Sequence, residues 1–278
     1  MEQFTRDGLT FDVIDSGPPD GDVVLLLHGF PQTGSSWSGV SAVLNEHGFR
    51  TIAPTQRGYS PGARPRGRRA YRTSELTADA VALVEELDCG PVHLVGHDWG
   101  AAVAWSLAAS RPDLVRSFTS VSVPHPGAFI KSMTRSRQLP RSWYMFAFQI
   151  PRVPEFLIRR FPDQFETKLS SGGLTPEGAA EIRRDVLETD ALTGGMNWYR
   201  AMMLGAPSDL KRRVTVPTTH VWSDADFALD RVGAELAADY VTADFRLEVF
   251  EGVSHWIPDQ RPTELADVIL ARIASVSG

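Results

Sequence analysis

The run Val92-His93-Leu94-Val95-Gly96-His97-Asp98-Trp99-Gly100-Ala101-Ala102 dictates more of the architecture than any other stretch of the chain. A short apolar segment ends in a pentapeptide bounded by glycines and passes at once into an Ala-rich segment. This reads as strand, sharp turn and helix, the helix running from Trp99 to Ser110. Such a turn is a nucleophile elbow. It forces its central residue, Asp98, into a strained conformation and needs small residues at Gly96, Gly100 and Ala101, where backbones approach closely. An isolated Asp before a helix is ordinarily an N-cap, but the flanking glycines and the upstream strand favour the elbow.

An elbow of this kind belongs to a parallel sheet with helices on both faces. Val23–Leu27, Arg50–Ala53, Val92–Val95 and Ser117–Val121 read as strands; Ser35–His47, Thr73–Leu87 and Trp99–Ser110 read as helices. The pattern returns near the end, with strands at Thr218–Trp222 and Phe245–Phe250 and helices at Asp230–Tyr240 and Pro262–Ala274. Residues 127–207 break it, with Pro, Gly and aromatic clusters, helix-like pieces at Gln138–Ile150 and Pro176–Leu187, and no strand pattern. The expected fold is therefore α/β: a mostly parallel central sheet flanked by helices, formed by residues 1–126 and 208–278, with 127–207 inserted as a helical cap.

Composition excludes several function classes. Lys and Arg number 28 against 34 Asp and Glu, a net charge of −6, so the basic excess that neutralises a phosphate backbone is missing and nucleic acid is not an expected partner. The single Cys89 excludes an internal disulfide and any multi-thiolate metal site, suits a reducing compartment, and reads as buried filler. The first residues hold no apolar signal core, and no stretch reaches the roughly 18 apolar residues of a membrane span, so the expectation is a cytoplasmic protein. Arg64, Arg66, Arg68, Arg69 and Arg72 crowd one loop and read as a solvated charged surface.

Asp98 narrows the chemistry. A carboxylate is already ionised near neutral pH and attacks carbon without losing a proton first. At an sp3 carbon the product is an alkyl ester, which points to substrates with a leaving group on such a carbon: epoxides and haloalkanes rather than carboxylic esters. Hydrolysing the ester needs an activated water, a base and an orienting acid. Of the seven histidines, His255 follows the last strand and precedes the last helix, the place of the base in the order nucleophile, acid, histidine. His28 and His97 sit in turns, His93 and His220 in strands, and His125 between two prolines. Asp224 and Asp226 compete for the acid; Asp226 is preferred because it lies deeper in its loop, and Asp224 is placed closer to the strand end to cap the turn. The turn His28-Gly29-Phe30-Pro31 offers the Phe30 N–H and the elbow offers the Trp99 N–H, two candidate oxyanion donors.

These separated motifs, together with Gln56-Arg57-Gly58-Tyr59-Ser60 and Ser254-His255-Trp256, resemble the α/β-hydrolase-fold epoxide hydrolases over essentially the whole chain. The resemblance implies two lid tyrosines that bind the epoxide oxygen and donate a proton. Ser142-Trp143-Tyr144-Met145 and Asn197-Trp198-Tyr199-Arg200 match their segments, with Tyr144 and Tyr199 at the functional positions and Ala147 standing where an aromatic is common. It also implies an epoxide and water as the only small-molecule partners, no cofactor and no metal. Phe30, Trp99, Trp143, Phe148, Phe227 and Trp256, with Trp198, are candidates for an apolar substrate pocket in a monomer or homodimer. A haloalkane dehalogenase shares the triad, but commonly has Asn where Phe30 stands and gives the two tyrosines no leaving-group role. A defluorinase typically has Arg in place of Trp99, and a serine esterase is disfavoured by Asp98. A catalytically inactive ligand-binding relative is the alternative outside enzymes.

Overall fold

The computed structural model describes residues 1–276. Apolar runs without polar alternation are buried on both faces, and β3 (Val23–Leu27), β5 (Val92–His97) and β7 (Thr218–Ser223) are buried at every position. They belong to an eight-stranded sheet in the order β1-β2-β4-β3-β5-β6-β7-β8, β3 and β5 at its centre and β7 beside an edge, with β4 at Arg50–Pro54, β6 at Val115–Val121 and β8 at Phe245–Phe250. All pairings from β4 to β8 are parallel. Two strands not expected from the sequence complete one edge antiparallel: β1 (Gln3–Arg6) and β2 (Leu9–Ser16). Their alternating polar and apolar residues bury only one side, so they lack the apolar run that marks the central strands.

Side chains alternate across the sheet and divide the core. Val24, Leu26, Val95 and Val221 pack beneath α1 (Ser38–Glu46) and the final helix, through Val40, Leu44, Leu265 and Ile269. Val23, Leu25, Leu27 and Leu94 face α2 (Thr73–Leu87) and α3 (Trp99–Ser110), through Leu76, Leu83, Val103 and Leu107. Burying one such Leu contributes roughly 1.5–3 kcal/mol, so a polar residue at any of these positions breaks the layer. Cys89, expected as filler, is exposed instead. It follows the end of α2, where Asp88 turns the chain outward in the left-handed region (φ 46°).

Between β6 and β7 the described residues are helical: α4 (Pro126–Arg135), α5 (Gln138–Arg141), α6 (Trp143–Ala147), α7 (Val153–Arg160), α8 (Pro162–Ser171), α9 (Pro176–Ile182) and α10 (Ala191–Ala201). The piece expected over Gln138–Ile150 is thus two short helices meeting at Ser142, and that over Pro176–Leu187 ends in a π-helical turn at Arg183–Leu187. After β7 come α11 (Arg231–Leu236), β8, α12 (Ile257–Gln260) and α13 (Pro262–Ala274). No helix among the described residues is long and apolar enough to cross a membrane.

Candidate active site

The sheet register sets the site. Leu27 pairs with Gly96 and His97 with Val121, so β3, β5 and β6 deliver their following loops to one place. Asp98 stands there at φ 51° and ψ −121°, a backbone conformation that costs a non-glycine residue about 1–3 kcal/mol. It is the N-cap residue of α3, yet its side chain makes no cap hydrogen bond. Its Oδ1 instead accepts the Phe30 N–H at 2.8 Å. Two glycines make this approach possible: a Cβ on Gly29 would lie 2.4 Å from Asp98 Oδ1, and one on Gly100 would lie 2.0 Å from the Leu27 carbonyl oxygen. The Phe30 loop is held from behind by His28, whose Nε2 accepts the Gln56 N–H at 3.0 Å.

His255 hangs from the loop after β8. Its Nδ1 lies 2.8 Å from Asp226 Oδ2 and its Nε2 lies 3.5 Å from Asp98 Oδ2. Asp226 is fully buried at its side chain, and its Oδ1 accepts the N–H groups of Ala228 and Leu229 at 2.7 and 2.9 Å. The competing Asp224 is exposed and caps the turn, accepting the Gly252 N–H at 2.7 Å. Of the two carboxylates, the structure brings Asp226 alone to His255.

Charge in this buried cluster is mutually supporting. Burial opposes ionisation of Asp98, but the hydrogen bond and charge of His255, with the Trp99 N–H at the start of α3, hold its pKa below the ordinary carboxylate range. Burial likewise opposes charge on His255, and the two carboxylates outweigh it, raising the imidazole to about 10. The resting site therefore holds an imidazolium between two carboxylates. Burial, and then the charge of Asp98, push both Tyr144 and Tyr199 upward, which keeps the phenols protonated.

Tyr199 is surrounded by Phe30, Phe148 and Trp99, with ring centroids 5.3, 5.1 and 5.0 Å away, and the Tyr144 ring lies at 6.0 Å. The Trp99 ring meets the Tyr199 ring edge-on, at 86° between planes. Phe227 covers His255 at 5.6 Å while its outer side is exposed, and Trp256 packs against both His255 and His97. Trp198 donates its indole N–H to the Arg57 carbonyl at 2.8 Å and touches the Trp99 ring. Trp143 does not join them. It is 58% exposed with the Lys168 ammonium 4.9 Å over its ring, because Tyr144 and Phe148, one turn apart, take the inward face of the helix.

Several residues that hold this arrangement gave no functional signal in the sequence. His97 Nε2 at 2.9 Å and Ser122 Oγ at 3.2 Å both donate to the His255 carbonyl. Burial lowers His97 to about 4, so it holds that carbonyl as a neutral ring. Arg141 donates to the Asp226 carbonyl at 2.6 Å. Gln260 accepts the Ser254 N–H at 2.8 Å and donates to the Gly173 carbonyl at 2.7 Å, tying the residue before His255 to the helical insertion. Only His97, inside the elbow, sat in a motif. His93, His125 and His220 are buried with lowered pKa values and hydrogen-bond to Ser117, Gly127 and Ser120.

Comparison with known proteins agrees with this geometry. The profile of the "Alpha/beta hydrolase family" matches residues 24–268. The AB hydrolase superfamily protein YfhM of Bacillus subtilis is 33% identical, with 96% of each chain covered. Epoxide hydrolase 2 of Caenorhabditis elegans is 32% identical over 90% of this chain and 73% of its own. In fold, the crystal structure of epoxide hydrolase A from Mycobacterium thermoresistibile superposes with a TM-score of 0.86 over 99% of this chain and 98% of that one, at 23% identity. An Asp elbow in a mostly parallel sheet, a His–Asp pair delivered by the following loops and these matches together establish that the chain belongs to the alpha/beta hydrolase family and, within it, to the epoxide hydrolase group.

Proposed function

We propose that the protein hydrolyses an epoxide to a vicinal diol through a covalent ester on Asp98, with residues 127–207 acting as a cap over a core of 1–126 and 208–278. The observation that carries this reading is the Asp98 carboxylate, which makes no helix-cap bond, is anchored by the Phe30 N–H and is set 3.5 Å from His255. In the first step Oδ2 of Asp98 attacks one epoxide carbon. The carbon–oxygen bond breaks toward oxygen, and Tyr144 and Tyr199 hydrogen-bond that oxygen and supply its proton.

Ester formation removes the charge of Asp98, and with it one of the two anions that keep His255 protonated. The imidazole pKa falls and the ring releases its proton toward the tyrosines, which lost one when the ring opened. Neutral His255, oriented by Asp226, then takes a proton from water, and the hydroxide attacks the Asp98 carbonyl carbon. The Phe30 and Trp99 N–H groups stabilise the tetrahedral oxyanion, whose collapse releases diol and carboxylate. Epoxide and water are consumed and no other reagent is required.

The dehalogenase reading is weaker because Phe30 stands where such enzymes commonly carry Asn, and because Tyr199, packed against Phe30, Trp99 and Tyr144, has no leaving-group role in that reaction. A His255→Gln variant, exposed separately to a small epoxide and a haloalkane and followed by intact mass, tests the assignment. The expected result is a gain of the whole epoxide mapped to Asp98. A gain of the alkyl group without halide moves the protein to the dehalogenases, and no adduct from a broad epoxide panel on folded protein leaves the non-catalytic ligand-binding reading.

A further inference from the structure

Residues 127–162 invert the charge of the chain. They hold Lys131, Arg135, Arg137, Arg141, Arg152, Arg159 and Arg160 against one acid, Glu155, in a protein of net charge −6. Glu155 is buried and paired with Arg200, so it does not offset the surface cations. Arg135, Arg137, Arg152 and Arg160 are exposed and have no acidic partner among the described residues.

The same segment also carries apolar side chains on its outer face, where a surface helix ordinarily carries polar ones. Leu139, Trp143, Phe146 and Ile150 fall at spacings of four, three and four and are all exposed. The polar Gln138 and Ser142 are buried, and Gln149 reaches inward to the Tyr199 carbonyl. Three residues beyond Ile150, α7 repeats the pattern: Val153, Phe156 and Leu157 are exposed while Pro154, Glu155 and Ile158 are buried. Two successive helical stretches thus turn apolar and aromatic side chains outward among unpaired arginines, where a water-facing helix carries polar groups.

A second copy is a poor cover for this face. A two-fold contact sets the patch against itself and brings one arginine-rich border onto another. A bilayer with acidic headgroups answers both halves of the pattern. Aromatic and aliphatic side chains enter the acyl boundary, and the arginines meet the lipid phosphates. We propose that the outer face of residues 135–161 docks on an anionic lipid surface as a peripheral, non-spanning contact. The inference does not depend on the chemistry assigned to Asp98.

Flotation of the full chain with vesicles of phosphatidylcholine alone, or mixed with phosphatidylglycerol, tests it. The protein is expected to float with the mixed vesicles at low salt and to be released at high salt. Phe146→Ser/Phe156→Ser, which replaces two solvent-facing side chains and leaves the fold intact, should abolish flotation. Replacing Arg135, Arg137, Arg152 and Arg160 by Gln should weaken partitioning about fivefold per arginine. Absence from anionic vesicles overturns the proposal, as does equal, salt-insensitive flotation with neutral vesicles. A lipid-free dimer in sedimentation velocity that Phe146→Ser/Phe156→Ser disperses assigns the face to a second copy and overturns it as well.

Discussion

At the scale of single residues, the site turns on one carboxylate whose charge governs its neighbours. Asp226 and then Asp98 raise His255, and burial and then Asp98 raise both phenols, so each responds when the Asp98 charge is lost. Asp98→Ala should leave no diol formation above background, and appreciable turnover in that variant rejects the nucleophile. In the proposed mechanism Tyr144 and Tyr199 share one task. Tyr144→Phe/Tyr199→Phe should slow alkylation by about 10²–10⁴-fold, with either single change far milder; unchanged alkylation in the double variant removes their acid role. Asp98→Asn should bring the His255 titration down from about 10 toward the ordinary imidazole range, by about one to three pH units, read by NMR of the ring. A histidine still titrating near 10 in that variant assigns the whole shift to Asp226. The elbow made Asp98 and His255 legible in the sequence, because a strained turn and a fixed chain order leave few residues eligible. Asp226 needed the structure: Asp224 stands two residues away, and only hydrogen bonding separates a buried acceptor from a turn cap.

At the scale of elements, the core strands and helices were readable and the separate short helices within the insertion were not, for a physical reason. β3 announces itself as an unbroken apolar run, β5 and β7 as short β-rich segments ending at a turn, and α2, α3 and α13 have the bounds their sequence pattern expects. The edge strands β1 and β2 bury one face each, and α5 and α6 are too short to establish a periodicity. Trp143 was misplaced because a tryptophan beside Tyr144 reads the same on either face of so short a helix. Long-range polar clamps do what local pattern does not. Arg200 on α10 forms a two-pronged buried pair with Glu155 on α7, at 2.6 and 2.9 Å, beside Tyr199. Removing one partner of such a pair leaves a buried charge, so Glu155→Ala should lower the urea-unfolding free energy by about 3 kcal/mol; a change within error assigns the pair to the solvated surface.

At the scale of the whole molecule, the site sits at the carboxyl ends of parallel strands and is closed over by helices, with Asp98 and His255 almost wholly buried. Enclosure makes stability depend on pH. The folded-state pKa of His255 is raised to about 10, against roughly 6.5 in an unfolded chain. Its charge therefore contributes its full stability below about pH 6.5, and the contribution is lost as pH rises through about 10. The stability advantage of the native protein over His255→Gln should accordingly shrink between pH 6 and pH 10 in urea titrations; a constant gap argues against a buried imidazolium. The sheet ends safely at both borders: the four-residue β1 closes one, and Arg246 and Glu248 on β8 put charge on the other.

The helical insertion leaves and rejoins the sheet on neighbouring strands. The Ser122 N–H bonds the Val221 carbonyl at 2.8 Å, and the Phe118 N–H bonds the Pro217 carbonyl at 3.0 Å. Departure at Val121 and return at Thr218 are thus separated by a lateral step of one strand and about three residues of rise, roughly 10 Å. A segment with ends so close can be exchanged as a cassette, transplanted from a relative without rerouting the rest of the chain. The nucleophile, the base and its acid stay with the recipient. Tyr144 and Tyr199 leave with the donor piece, so under the proposed mechanism a working graft has to bring its own pair of phenols, and substrate range and proton supply are inherited together.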